Sequence, residues 1–160
     1  MSVTLIQSLL RQKAGSNAEF FAAVDRIDAE AHATERHATI RLLNQIYVVD
    51  RIFAAHLCGR EHGYTATNTP ETPTLEALRD AALESDRWYV EHIGTLAPQA
   101  LAEPVAFRFT DGLGGCMSRE EMLMHVITHG SYHRGGVGRI LADASVAAPR
   151  GLRRRRRTCC

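Results

Sequence analysis

The chain has 160 residues and a formal net charge of +1, with 45% apolar and 23% charged residues. This length suits one domain with a single hydrophobic core, and the composition is that of an ordinary globular protein, which excludes few function classes. No apolar run approaches the roughly 20 residues that span a bilayer, and the first residues lack a basic stretch followed by a long apolar one. We therefore expect a cytoplasmic protein with no membrane partner.

Two helices are predicted in the first part of the chain. Apolar residues at helical spacing predict helix 1 over residues 4–28, and polar interruptions of this pattern indicate an inner face that is only partly buried. A second apolar stripe, from Leu42 to Phe53, predicts helix 2, which ends near Gly59 because glycine is a common helix stop.

A loop, a third helix and a strand follow. Residues 60–73 contain the glycine, asparagine and proline of a loop, and Thr74 is a typical N-cap for helix 3, which runs to about residue 97. Alternation in residues 105–109 then predicts a short strand, and the glycine-rich residues 111–115 predict a turn. A small hairpin or an ordered loop is therefore expected before the last helix.

The last helix has a well-defined start. Ser118 and Glu121 have the spacing of a capping box, so helix 4 begins there and continues to about residue 144. Four such helices predict an all-α, antiparallel four-helix bundle over residues 1–149, with a long crossover loop or a short hairpin before the last helix. Residues 150–160 carry a block of arginines that repel one another, which predicts a disordered tail.

Helix 4 carries three histidines, His125, His129 and His133, spaced four residues apart on one side of the helix. The second and third lie in the middle of the apolar stripe, where a buried imidazole without a hydrogen-bond partner costs about 1–3 kcal/mol. This spacing also brings two ring nitrogens close enough to hold one metal ion. Two interpretations stay open on spacing alone: a metal-binding pair, or two histidines hydrogen-bonded at the edge of a core.

The same segment carries a family resemblance. Residues 125–136, with the sequence HVITHGSYHRGG, resemble the last-helix signature of the DinB family and its DinB/YfiT-like members, in which H-G-x-x-H-R-G follows a histidine one turn earlier. Residues 42–53 are similar to the second-helix element of the family, and residues 116–123 to its lead into the last helix. The resemblance covers residues of about 5–149. It implies a four-helix bundle that binds a divalent metal ion, zinc or nickel.

The resemblance also implies three metal ligands, namely His129, His133 and one residue of helix 2 that is normally histidine. The aligned residue here is Gln45, whose neutral carbonyl oxygen is a poorer ligand than imidazole for borderline metals. Three possibilities stay open: a weakened site with Gln45 as third ligand, a two-histidine site completed by water, or a site that has lost its ion. His125 is a reserve ligand, whereas His56 lies about 16 Å further along helix 2 than Gln45 and cannot replace it.

Two functions follow from this resemblance. A metal ion with an open coordination position activates water or a thiolate, which implies a metal-dependent transferase or hydrolase acting on a small molecule, a thiol being one candidate. The alternative is a non-catalytic dimeric bundle with a degenerate metal site, which Gln45 favours. A homodimer is expected from the resemblance. Binding of nucleic acid through the arginine tail would be non-specific and is the weakest hypothesis.

Four further residues receive structural interpretations. The cysteines form no CxxC pair and are expected to be reduced, with Cys58 and Cys116 packed inside the protein. Asp50 is predicted at the surface or at the margin of the core. Tyr132 lies opposite the centre of the apolar stripe of helix 4 and is predicted to face solvent or an interface.

Overall fold

The computed structural model describes residues 2–150 and is built mainly of helices. Its four long helices are α1 (Val3–Val24), α2 (Ala33–Leu57), α3 (Leu75–Thr95) and α4 (Arg119–Asp143). Between α3 and α4 lie a short 3-10 helix (Pro98–Ala102) and two strands, β1 (Pro104–Arg108) and β2 (Gly114–Ser118). None of the helices in residues 2–150 is long and apolar enough to cross a membrane. The predicted four helices are confirmed, and a small sheet is added to them.

The predicted starts of α3 and α4 are confirmed by their caps. Thr74 Oγ1 accepts a hydrogen bond from the backbone N–H of Ala77 at 3.2 Å. The capping box of α4 is complete, because Ser118 Oγ accepts from the Glu121 N–H at 3.3 Å and Glu121 Oε2 accepts from the Ser118 N–H at 2.6 Å. These bonds satisfy backbone donors that the first turn of a helix leaves unpaired.

The hairpin before α4 also forms as predicted. β1 and β2 pair antiparallel, with Phe107 opposite Gly115, and Gly112 occupies the turn at a φ of 87°. A β-carbon at Gly115 would lie 2.7 Å from the Phe107 ring, so only glycine lets this ring lie across β2. Phe107 is 8% exposed and joins the core, which anchors the hairpin to the bundle.

The boundaries of the first two helices differ from the prediction. α1 ends at Val24 rather than near residue 28, because the chain turns there and places Ile27 in the core at 3% exposure. α2 begins at Ala33, inside the acidic and histidine-containing stretch that precedes the apolar stripe.

Contacts between helices set their directions. Asn17 bonds to Arg134 and Phe20 lies beside Gly138, so α1 and α4 run parallel. α1 and α3 run antiparallel, because Gln7 contacts Val90 and Gly94 whereas Asn17 contacts Asp86. α2 and α4 are likewise antiparallel, because Leu42 lies beside Gly136 whereas Phe53 contacts His125.

The crossover lies between α2 and α3. After α2 the chain runs back alongside it, so that the Asn68 amide donates to the Arg41 carbonyl at 3.0 Å and Arg41 donates to the Thr69 carbonyl at 2.7 Å. α3 therefore starts beside the first turns of α2 and runs parallel to it. The predicted long crossover exists but precedes α3, whereas the connection before α4 is the hairpin. The predicted antiparallel arrangement thus holds for the pairs α1–α3 and α2–α4, whereas the pairs α1–α4 and α2–α3 are parallel.

A layer of buried polar side chains crosses the middle of the bundle. Its members, called the polar layer below, are Lys13, Asn17, Asp50, Asp86 and Arg134, all at most 7% exposed. Lys13 Nζ donates to Asp50 Oδ2 at 2.5 Å and to Asp86 Oδ1 at 2.7 Å. Asn17 donates to Asp86 Oδ2 at 2.8 Å and accepts from Arg134 Nη1 at 2.8 Å. The polar layer links all four helices and lies between two hydrophobic clusters.

The polar layer overturns two predictions. Asp50 is 2% exposed rather than at the surface or margin, and the polar residues of α1, Lys13 and Asn17, are each 2% exposed rather than partly solvated. Each of these groups hydrogen-bonds to a partner on another helix, as buried charges require, and Asp50 does so through Oδ2 alone, since its Oδ1 has no partner within residues 2–150. Burial raises the pKa of Asp50 to about 7, against the opposing effect of the Lys13 ammonium.

The prediction that Cys58 and Cys116 pack inside the protein is wrong as well. Cys58, which caps α2, and Cys116, on β2, are exposed free thiols rather than packed side chains. Tyr132 is 79% exposed, in agreement with its predicted orientation. The predicted disordered tail, apart from Arg150, lies outside the described residues.

Removing one carboxylate of the polar layer is expected to destabilise the fold strongly. In Asp86→Ala, Lys13 and Asn17 lose a buried partner, and we expect the free energy of unfolding to fall by about 3–5 kcal/mol. The matched control is Asp80→Ala on the same helix, whose side chain is 67% exposed and for which the loss should stay below about 1 kcal/mol. Urea unfolding followed by circular dichroism measures both values. Equal losses in the two variants would contradict a structural role of the polar layer.

Candidate metal centre

The histidines of α4 form a row on one side of the helix. The ring centroids of His129 and His133 lie 4.5 Å apart with an angle of 63° between the ring planes. His125 lies 5.6 Å from His129 and stacks on Phe53 of α2 at 4.6 Å. The structure therefore brings the two predicted ligands of α4 together, and the reserve ligand next to them contacts an aromatic ring.

The register between α2 and α4 locates Gln45. Leu42 lies beside Gly136, Ile46 lies beside Gly130, and Phe53 contacts His125, so residue numbers fall along α4 as they rise along α2.

This register puts Gln45 at the level of His133, and Val49 at the level of His129. Gln45 is partly buried, as are both histidines. All three predicted ligands thus belong to the stretch where α2 and α4 pack together.

His56 lies elsewhere, as predicted. Its ring is 4.9 Å from Phe107 and 5.0 Å from His62, at the hairpin end of the bundle. Because Phe53 already lies level with His125, the last turn of α2 extends beyond the histidine row. His56 therefore does not take the place of Gln45.

The electrostatic environment keeps the histidines neutral. Burial, followed by the nearby His133, His125 and Lys13, lowers the pKa of His129 to about 4. Burial also lowers the pKa of His133 and that of His125. Neutral imidazole has the free nitrogen lone pair that metal binding requires.

These residues fit a divalent ion. Neutral imidazole nitrogens suit zinc and nickel, and the Gln45 amide oxygen is a weaker but usable donor. Nδ1 of His129 is buried and has no hydrogen-bond partner among residues 2–150, which is unusual for a buried polar atom. Within the same residues, no group of three or more His, Cys, Asp or Glu side chains is arranged to hold a metal.

The polar layer lies directly behind this row. A β-carbon at Gly130 would come within 2.9 Å of Arg134 Nη1 and 3.5 Å of Lys13 Cε, so glycine is needed for α4 to approach α1 here. Sequence reasoning missed Lys13 as a neighbour of His129, whose pKa it helps to lower. The available signal was the position of Lys13, which interrupts the apolar stripe of α1.

Four long helices with a pair of neighbouring histidines on the last one define the chain as a helical-bundle protein. The family model of the DinB family matches residues 1–149, and the chain belongs to the DinB family. The predicted family is confirmed. Comparisons with curated proteins and with solved structures gave no match.

The pKa of His129 predicts how stability depends on pH in chelator-treated protein. Unfolded histidine titrates near pH 6.5 and folded His129 near pH 4, so between these values the unfolded chain binds more protons. The stabilising contribution of neutral His129 is complete above pH 6.5 and is lost as the pH falls towards 4. Urea unfolding at several pH values should show a shallower decline for His129→Gln than for the parent. Equal slopes would contradict the lowered pKa.

Proposed function

We propose that this DinB-family protein binds one divalent metal ion, zinc or nickel, through His129, His133 and Gln45. The observation that carries the proposal is the pair of neutral imidazoles at the packed face between α2 and α4, with Nδ1 of His129 buried and without a hydrogen-bond partner among residues 2–150. Leaving this nitrogen unsatisfied costs about 1–3 kcal/mol, and an ion is one way to offset that cost.

We further propose metal-dependent transferase or hydrolase chemistry on a small molecule, with a thiol as one candidate substrate class. A bound ion would supply Lewis acidity and an acidified water or thiolate. The contribution of this chain is to hold His129 and His133 neutral and next to each other on a helix that the polar layer aligns. All three protein donors are neutral, so the ion would keep its full positive charge.

The alternative is a non-catalytic dimeric bundle whose metal site has degenerated. Gln45 favours it, because an amide replaces the imidazole that the resemblance leads one to expect. Exposed apolar side chains for a dimer interface are present on two helices, with Leu5 at 51% and Tyr132 at 79% exposure. A homodimer and a cytoplasmic location are part of the proposal under either function.

Metal content separates the two functions. We expect about one zinc or nickel ion per chain in untagged protein purified without chelator, and loss of the ion in His129→Ala/His133→Ala. Gln45→His should retain the ion at roughly tenfold higher competing chelator, because imidazole replaces a weaker donor. Elemental mass spectrometry and chelator competition measure these quantities.

The matched control is His37→Ala, which removes an exposed histidine of the same helix as Gln45 and should leave the metal content unchanged. Metal retained in the double alanine variant would refute the site. A parent without metal, together with metal bound by Gln45→His, would establish the degenerate bundle instead.

A further inference from the structure

A cleft lies on the other side of α4, between α4 and α1. Its volume is about 420 Å³, which falls in the range of small-molecule sites. It lies away from the face that α4 packs against α2, and none of the three proposed metal ligands lines it. The polar side chains around it are Gln12, Lys13, Ser16, Ser131, Arg134 and Arg150.

The charges around this α1–α4 cleft are of one sign. Lys13, Arg134 and Arg150 line it, and no aspartate or glutamate among the described residues does. Asp50 and Asp86 hold Lys13 from α2 and α3 but do not reach the cleft. The charged side chains that line the cleft are therefore cationic, and Asp50 and Asp86 offset the charge of the buried Lys13 from behind, which leaves Arg134 and Arg150 as the groups that can attract an anion.

Arg134 is the most informative of these residues. Its side chain is 7% exposed, yet its hydrogen bonds go to neutral groups, from Nη1 to Asn17 Oδ1 at 2.8 Å and from Nη2 to Ser131 Oγ at 3.1 Å. Within residues 2–150 no carboxylate bonds directly to it; burial lowers the pKa of Arg134, whereas Asp86 and Asp50 act on it only through space and raise that pKa. A buried guanidinium normally has an anionic partner, because burying a charge is costly without one.

We propose that the α1–α4 cleft binds a small anion through a phosphate or carboxylate group, with Arg134 as its main anchor. The planar guanidinium carries five N–H donors in a geometry that matches both groups. The Ser16 hydroxyl, on the α1 side of the cleft, can add a donor, whereas the Ser131 hydroxyl already donates to the Ile127 carbonyl at 3.0 Å. This site is independent of the proposed metal centre.

Calorimetric titration of inorganic phosphate and of acetate into the chelator-treated full-length chain, at constant ionic strength, tests the proposal. We expect at least one of the two anions to bind, and Arg134→Gln to weaken its binding about tenfold or more. Ser131→Asp should abolish binding while keeping the fold, because the new carboxylate pairs with Arg134 and fills the place of the ligand. Thermal unfolding of each variant establishes that it is folded.

Two matched controls complete the experiment. Arg139→Gln removes the same charge from the same helix at a side chain that is 80% exposed and outside the cleft, and it should leave anion affinity unchanged. His129→Ala/His133→Ala should bind the anion as the parent does. The proposal is overturned if neither anion binds at about 10 mM, which corresponds to negligible affinity. It is also overturned if Arg139→Gln weakens binding as much as Arg134→Gln, or if the double alanine variant loses it.

Discussion

A single buried lysine, held between two aspartates, determines how the helices of this bundle align. Lys13 on α1 bonds to Asp50 on α2 and to Asp86 on α3, and Asn17 extends the same layer to Arg134 on α4. The hydrophobic clusters on either side supply non-directional stabilisation, which tolerates sliding of one helix along another. If one helix slid by one turn, a buried charge would lose its partner, at a cost of about 3–5 kcal/mol. The polar layer therefore specifies register.

This alignment of the helices also determines where the two candidate sites lie. α4 passes the polar layer at Gly130 and Arg134, so its histidines face α2 on one side and the α1–α4 cleft opens on the other. Lys13 lies next to both candidate sites, since its charge contributes to the low pKa of His129 and its side chain lines the α1–α4 cleft. A change in the polar layer would consequently disturb both sites, whereas a change in either histidine leaves the cleft intact.

Local signals in the sequence predicted the local structure well. The capping box at Ser118, the N-cap at Thr74 and the turn around Gly112 each depend on a few adjacent residues, and all three are confirmed. The histidine pair was also visible, because four-residue spacing on one helix is a local property. The family was recognisable from the sequence HGSYHRG and two further elements, whereas the role of Gln45 stays a prediction.

The polar layer and the helix directions were not predictable in this way. Lys13 and Asp86 are far apart in sequence, and their pairing depends on which helices become neighbours. That arrangement depends on the crossover beside α2, whose hydrogen bonds join Asn68 and Thr69 to Arg41. Amphipathic patterns indicate which face of a helix is buried but not which other helix packs against that face.

The close approach of α4 to its neighbours has a consequence for the helix itself. α4 contains Gly130, Gly135, Gly136 and Gly138, and each glycine lowers intrinsic helix stability by about 1 kcal/mol relative to alanine. A detached peptide with this sequence would be largely unstructured in water, since short helices are marginal even with favourable residues. The His129–His133 pair and the guanidinium of Arg134 therefore reach the positions that binding requires only when the whole bundle assembles. Any ligand that recognises either arrangement selects the assembled bundle and thereby stabilises it.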